Sequence, residues 1–235
     1  MKDFLVGIIY GGRAAELPGL LCSLWDHTRG SFDLIIGVNR WDARIESEFS
    51  PGRCLECPHD RRAVYFGKNI GHFPMANYLA QRTLREGYRY FVDVNDDVLI
   101  TRSDWLERIE AEFARRPDTA LVSFEECVVN PNDLRRDAVG LSATEFASAI
   151  FAVPTTYVRA HGLFDPRFNW YCGDSDLGWM ATRVHKHTIG IVERGWIKHD
   201  FRCGRDLELG EEVSQNAGAD AKALYEKWLD PEHPQ

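Results

Sequence analysis

Four residues within five positions have the types and spacing to do chemistry: Asp93, Asn95, Asp96 and Asp97, in the stretch YFVDVNDDVLI from Tyr90 to Ile100. Side chains alternate across a strand, so Asp93, Asn95 and Asp97 point to one side and would crowd oxygen ligands at a strand's carboxyl end. That end is where open α/β sheets bind ligands. Three carboxylates so close repel one another unless a cation, a donor network or solvent takes up the charge. A second polar cluster, Gly173-Asp174-Ser175-Asp176-Leu177, lies downstream, and Lys198-His199-Asp200 follows it. Either Asp174 or Ser175 has the type to cap a helix running through Arg183.

The elements that must position these residues read as an α/β alternation. Phe4 to Tyr10 is an apolar strand, Gly11-Gly12-Arg13 a turn, Leu17 to Trp25 an amphipathic helix and Phe32 to Val38 a second strand, which together make a parallel βαβ unit. Arg40 to Arg62, with Pro51, Gly52 and Pro58, reads as a long loop. Ala63 to Phe66 is a short strand, and a helix runs from about Pro74 to Glu86 into the acidic stretch. Ser103 is placed to cap a helix to about Arg116, followed by a strand from Ala120 to Phe124. The polar run Glu125 to Phe146 suggests a loop over a site or an ordinary surface loop. Ala149 to Val153 is strand-like, Thr155 to His161 a short helix and Thr188 to Val192 a last strand. Ala217 to Trp228 should pack Leu224, Tyr225 and Trp228 against the body, with Pro231 to Gln235 fraying.

A chain of 235 residues with 44% hydrophobic content can bury one substantial core, so a single domain is expected. A net charge of -8 leaves no basic excess to neutralise phosphates, which argues against a general nucleic-acid binder while leaving room for a local basic patch. The apolar run ending at Tyr10 is too short for a signal peptide or a membrane span, so no transmembrane segment is expected and the reading is cytoplasmic, or peripheral at a membrane surface. Six cysteines in a chain without an export signal should be reduced. Cys54, Cys57 and His59 have the spacing of half a zinc site, with no matching second pair.

The order of these motifs resembles the family-2-like glycosyltransferases of GT-A fold. The resemblance rests on the N-terminal strand, helix, strand unit; Asn69-Ile70-Gly71 with Ala76-Asn77; Asn95-Asp96-Asp97 in the place of the Asp-X-Asp motif; and Phe164-Asp165 followed by Gly173-Asp174-Ser175-Asp176-Leu177. It implies a Rossmann-like, mostly parallel central sheet flanked by helices. A GT-A domain would cover residues 1–205, split into a nucleotide-sugar-binding half (1–100) and an acceptor half (101–205), and a helical extension would cover 206–235. It also implies an enzyme that moves a sugar, hexosyltransferase-like, from a nucleotide-diphosphate donor to the hydroxyl of a glycan or other acceptor, with inversion.

By the same resemblance Asp97, with Asn95 or Asp96, holds Mn2+ or Mg2+ and the donor diphosphate, and His199 lies near the metal. Asp174 is the base that takes the acceptor's proton, while Asp176 orients its helix or binds acceptor. Asn39 stands about where the family has an acidic residue on the uracil, and Asn69 lies on the donor side. Because an amide can also read a base edge, UDP, dTDP and GDP donors all remain open. Trp41, Trp170 and Trp179 are core residues or sugar platforms. Two other readings stand beside this one: a non-catalytic GT-A protein that binds a nucleotide sugar or glycan, motivated by Asn95 and Asn39, and a sugar nucleotidyltransferase, motivated by Gly11-Gly12-Arg13.

Overall fold

The computed structural model describes residues 3–12, 16–40, 61–125, 149–199 and 210–228. Cys54, Cys57, His59, Trp41, Arg13, nearly all of the Glu125 to Phe146 stretch and the terminal Pro231 to Gln235 lie outside the described residues. The elements in order are β1 (Phe4–Tyr10), α1 (Leu17–Asp26), β2 (Phe32–Val38), β3 (Arg61–Tyr65), α2 (His72–Glu86), β4 (Tyr90–Asn95), β5 (Val98–Ile100), α3 (Trp105–Arg115), β6 (Thr119–Phe124), β7 (Ile150–Pro154), α4 (Thr155–His161), α5 (Gly173–Trp179), a π-helical turn (Met180–Val184), β8 (Thr188–Val192), β9 (Ile197–His199) and α6 (Gly210–Trp228).

Seven strands form one sheet in the order β3-β2-β1-β4-β7-β6-β8, and β5 and β9 form a separate two-stranded ribbon. The pairings β1–β2, β1–β4, β2–β3 and β6–β8 are parallel, and only β7 runs against its neighbours β4 and β6. The central strands read as nearly continuous apolar runs, interrupted by Asp33 in β2 and Asp93 in β4, because both faces are covered. All seven residues of β1 and all seven of β2 are buried. Alternation sorts β4 onto two cores: Tyr90, Val92 and Val94 face α1 and α3, while Phe91 faces α2, α4 and α5. On α1, Leu17, Leu20, Leu21 and Leu24 follow the three-and-four spacing of a buried helical stripe. Each leucine so covered contributes roughly 1.5–3 kcal/mol.

Several local expectations shift. Helix α2 begins at His72, two residues before Pro74. Its N-cap Gly71 has φ 92°, and a Cβ there would sit 2.8 Å from the Asn169 carbonyl oxygen, which instead accepts the Phe73 N–H. A neighbouring carbonyl thus does what a capping side chain would do. Ser103 caps nothing, since α3 starts at Trp105 with Asp104 before it and no side-chain cap. The buried Trp105, whose Nε1–H donates to Thr28, fixes that start. Neither Asp174 nor Ser175 caps α5, because the turn enters through Cys172 at φ 62°, and the helix gives way to a π turn at Met180. In α6, Leu224 is 0% exposed but Tyr225 is 44% exposed, so Tyr225 faces solvent where packing was expected. The position one residue beyond a buried one turns about 100° away from the stripe.

Candidate active site at the carboxyl end of β4

The acidic stretch divides at Asn95. Strand β4 ends there, its last N–H donating to Ala149 O at 2.9 Å, Asp96 and Asp97 form a turn, and β5 returns as half of the ribbon. Ribbon pairing sets Val98 opposite His199, which brings the His199 imidazole to the acidic turn. Nε2 of His199 lies 3.5 Å from Oδ1 of Asp97, and both side chains are largely buried. The backbone N–H of Gly11, at the end of β1, donates to Oδ2 of Asp96 at 3.0 Å. One strand end, one turn and the far ribbon strand therefore meet at one place.

Asp93 takes a partner the sequence did not point to. It is 0% exposed, on the α2 face of β4, and its Oδ2 lies 3.2 Å from Nε2 of His72, the first residue of α2. Burial alone would lower the pKa of His72, but the charge and hydrogen bond of Asp93, joined by the charges of Asp174 and Asp96, raise it above its usual value. Asp174 and Asp96 thus lie within electrostatic reach of the His72 imidazole that Asp93 contacts. Sequence reasoning passed over His72. Its signal was a histidine at the start of a helix, directly after the Asn69-Ile70-Gly71 turn.

Asp174 reaches this cluster through a close approach of two helices. Gly173 begins α5 against Phe73 of α2, and a Cβ on Gly173 would fall 2.5 Å from the Phe73 ring, so only glycine lets the helix starts meet. Asp174, half-buried in the first turn of α5, accepts the N–H of Ser175 at 2.9 Å. Asp176, two residues on, points elsewhere: Lys227 Nζ lies 2.8 Å from its Oδ1 and 2.9 Å from its Oδ2, and Trp228 Nε1–H donates to Oδ1 at 2.7 Å. Burial pushes its carboxyl above the usual range, and the bonds to Lys227 and Trp228 only partly oppose the shift. Asp176 ties α5 to α6, an arrangement suited to orienting its helix.

Asn39 and Asn69, expected on the donor side, both hydrogen-bond the backbone of the 69–71 turn. Asn39 is buried, its Nδ2 donates to Gly71 O at 3.1 Å and its Oδ1 accepts the Ile70 N–H at 3.1 Å. Asn69 Oδ1 accepts the Gly71 N–H at 3.0 Å. Both amides shape the 69–71 turn below α2, and the base-reading role expected of Asn39 meets an amide already bonded at both ends. Of the tryptophans, Trp179 is core, whereas the half-buried Trp170 lies 3.9 Å from a Cβ built on Gly11, as does Asp96 Oδ2. Two cavities of about 420 and 350 Å³, lined around Trp196 and around His161, contain no residue of the acidic turn.

Among the described residues no three His, Cys, Asp or Glu side chains converge as a self-sufficient metal cage. Mg2+ and its like seldom need one, since they are held by one or two carboxylates with substrate phosphates and water. The donor set fits such a cation: the Asp97 carboxylate, the His199 imidazole and Asn95 Oδ1, a buried oxygen with no hydrogen-bond partner among the described residues. The 3.5 Å between Asp97 and His199 is long for a hydrogen bond and close to the roughly 3 Å between adjacent ligands of an octahedral ion.

No family model matches the sequence, and no curated protein matches it. Solved structures do. The chain is similar to GalNAc-T7, solved with UDP, GalNAc and Mn2+, with a TM-score of 0.68 at 12% identity over 98% of this chain and 49% of that one. It is similar to S. aureus TarS 1-349 in complex with UDP, with a TM-score of 0.58 at 10% identity over 83% and 59% of the two chains. It is similar also to the mannosyltransferase PcManGT from Pyrobaculum calidifontis in complex with GDP-Man and Mn2+, with a TM-score of 0.58 at 14% identity over 97% and 66%. The chain spans about half to two thirds of the length of these proteins. At such identities the likeness establishes the fold, which is the GT-A fold of glycosyltransferases.

Proposed function

We propose that this GT-A chain is a glycosyltransferase that moves a hexosyl group from a nucleotide-diphosphate sugar to an acceptor hydroxyl, with inversion and with Mn2+ or Mg2+. The observation that carries the reading is the meeting of Asp97 and His199, 102 positions apart in the chain (199 minus 97), at 3.5 Å beside the end of β4. The solved structures similar to this one include two with Mn2+ and either UDP or GDP-Man, and a third with UDP. These support a nucleotide-sugar donor and leave UDP, GDP and dTDP as candidates. The family-2-like assignment remains part of the proposal.

Asp97 and His199 would hold the cation, with Asn95 Oδ1 as a neutral third donor. A bound cation supplies charge neutralisation for the departing diphosphate. Asp96, fixed by the Gly11 N–H, keeps the β1 turn against the acidic turn. Asp174 stands as the base. The acceptor oxygen attacks the anomeric carbon from the side opposite the diphosphate, its proton passes to an Asp174 oxygen, and the bond from that carbon to the diphosphate oxygen breaks with its electron pair leaving on the diphosphate. General-base help of this kind is worth about 10²–10⁴-fold. His72, paired with Asp93, has its pKa raised by that carboxylate and by the nearby charges of Asp174 and Asp96.

Nucleotide sugars stabilise the native state on binding, so thermal melts against a donor panel with and without MnCl2 test the assignment. One donor class should raise Tm only with metal, and Asp97→Ala should abolish that shift. If no nucleotide or nucleotide sugar shifts the melt of the parent protein under either condition, the assignment fails.

A further inference from the structure

Helix α6 carries Asp220, Leu224, Lys227 and Trp228 on successive turns of one face, at spacings of four, seven and eight. Asp220 is 0% exposed, an unusual place for a carboxylate. It accepts three consecutive backbone N–H groups: Asn169 donates to Oδ1 at 3.1 Å, and Trp170 and Tyr171 donate to Oδ2 at 2.8 Å each. Successive N–H groups in one turn form a concave anion site, and here the anion is supplied by the chain itself. One helical stretch later, Lys227 bridges Asp176 and Asp165, and Trp228 donates to Asp176. The helix thus grips the chain on both sides of Cys172-Gly173-Asp174-Ser175.

The gripped segment also touches α2. The Asn169 carbonyl takes the Phe73 N–H, next to His72 and its bond to Asp93. A helix that served only to cover a core would place apolar residues on this face, since burying a carboxylate is costly unless it is fully hydrogen-bonded. Leu224 does that work at the centre of the face, while the charged groups are spent on the loop.

We infer that α6 is a brace for the catalytic loop, and that Asp220 is a positioning residue which, by holding the 169–171 backbone, sets where Asp174 stands relative to the His72–Asp93 and Asp97–His199 pairs. The inference rests on the glycosyl-transfer reading for what Asp174 does, but not for what Asp220 holds. It also gives the C-terminal extension a part in the reaction that its place in the chain did not suggest.

The test compares Asp220→Asn, which keeps the volume and removes the charge, with Leu224→Ala, which thins the same face without touching the loop. Amide hydrogen exchange in the full chain reads the brace directly. Asp220→Asn should speed exchange tenfold or more at Trp170 and Tyr171, spreading to Asp174, while Leu224→Ala leaves those amides near parent rates. In transfer assays Asp220→Asn should lower kcat at least tenfold with donor KM within about twofold, and Leu224→Ala should keep kcat within threefold. Parent-like exchange in Asp220→Asn, or equal effects in both variants, overturns the inference. Should Asp220→Asn not fold, Trp228→Phe carries the same test: faster exchange around Asp176 with lower kcat supports it, and no change in either overturns it. Absence of transfer by the parent protein would count against the functional reading alone, with the exchange measurement still deciding the brace.

Discussion

Replacing Gly173 with alanine inserts one methyl group at the contact that brings Asp174 to the site. That carbon would lie 2.5 and 2.6 Å from two atoms of the Phe73 ring, whereas carbon contacts settle at about 3.5–4.0 Å. The ring or α5 must therefore retreat by roughly 1 Å. Phe73 has little room, being 2% exposed with its ring centroid 4.5 Å from that of Phe164 and 5.2 Å from that of His72. Overpacking of this kind costs about 1–3 kcal/mol, and the better helix propensity of alanine returns up to about 1 kcal/mol. A net loss of roughly 1–2 kcal/mol corresponds to a Tm lower by about 2–8 °C in a chain of this size. A 1 Å displacement of a reacting group can cost about 10²-fold in rate, so kcat should fall between ten- and a hundredfold. Thermal melts and initial transfer rates measure both. A variant that melts at or above the parent temperature would refute the packing argument, and one that melts lower but turns over at the parent rate would refute the link from this contact to Asp174.

The role of Asp174 itself is read from Asp174→Asn, which should keep metal-dependent donor stabilisation and lose about 10²–10⁴-fold in transfer; parent-rate transfer would remove it as the base. A pH effect is expected far from the site, where the His185 ring stacks on His161 with centroids 3.9 Å apart and its Nδ1 shares a 3.0 Å hydrogen bond with the Tyr157 hydroxyl. Burial, then the charges of His161, His187 and Lys227, lower the His185 pKa below its usual 6.5. Its native state therefore binds fewer protons than the unfolded chain, so this stabilisation is present above pH 6.5 and is lost as pH falls through the depressed value. Melts of His185→Gln should show a shallower loss of Tm between pH 7 and pH 5 than the parent, and parallel slopes would contradict the shift.

The parts of the fold that were legible are those that local pattern dictates. Strands β1, β2 and β4 announce themselves as apolar runs because both sheet faces are covered, and α1 by its leucine spacing. Boundaries were lost where a distant group did the capping. The start of α2 depends on the Asn169 carbonyl, far along the chain, and the start of α5 on a left-handed backbone at the adjacent Cys172, a conformation its residue type does not announce. The separation of β5 from the main sheet was also hidden, since a three-residue strand has too few positions to show alternation.

The site divides along the same line, and the division explains its electrostatics. Asp93, Asn95, Asp96 and Asp97 were visible together because one turn holds them, but their partners come from 21, 85 and 102 positions away as His72, Gly11 and His199. Seen without those partners, four similar residues look interchangeable as ligands. Seen with them, Asp93 belongs to His72, Asp96 to the β1 turn and Asp97 to His199, and Asn95 Oδ1 is a buried oxygen without a hydrogen bond among the described residues. An aspartate at position 95 would set a fourth carboxylate beside three that share two imidazoles and a backbone N–H. Asparagine offers an oxygen of the same reach without that charge. Under the proposed reading, asparagine at the first place of the Asp-X-Asp pattern accommodates a crowded acidic turn, and Asp97 would supply the charge toward a cation that Asn95 does not.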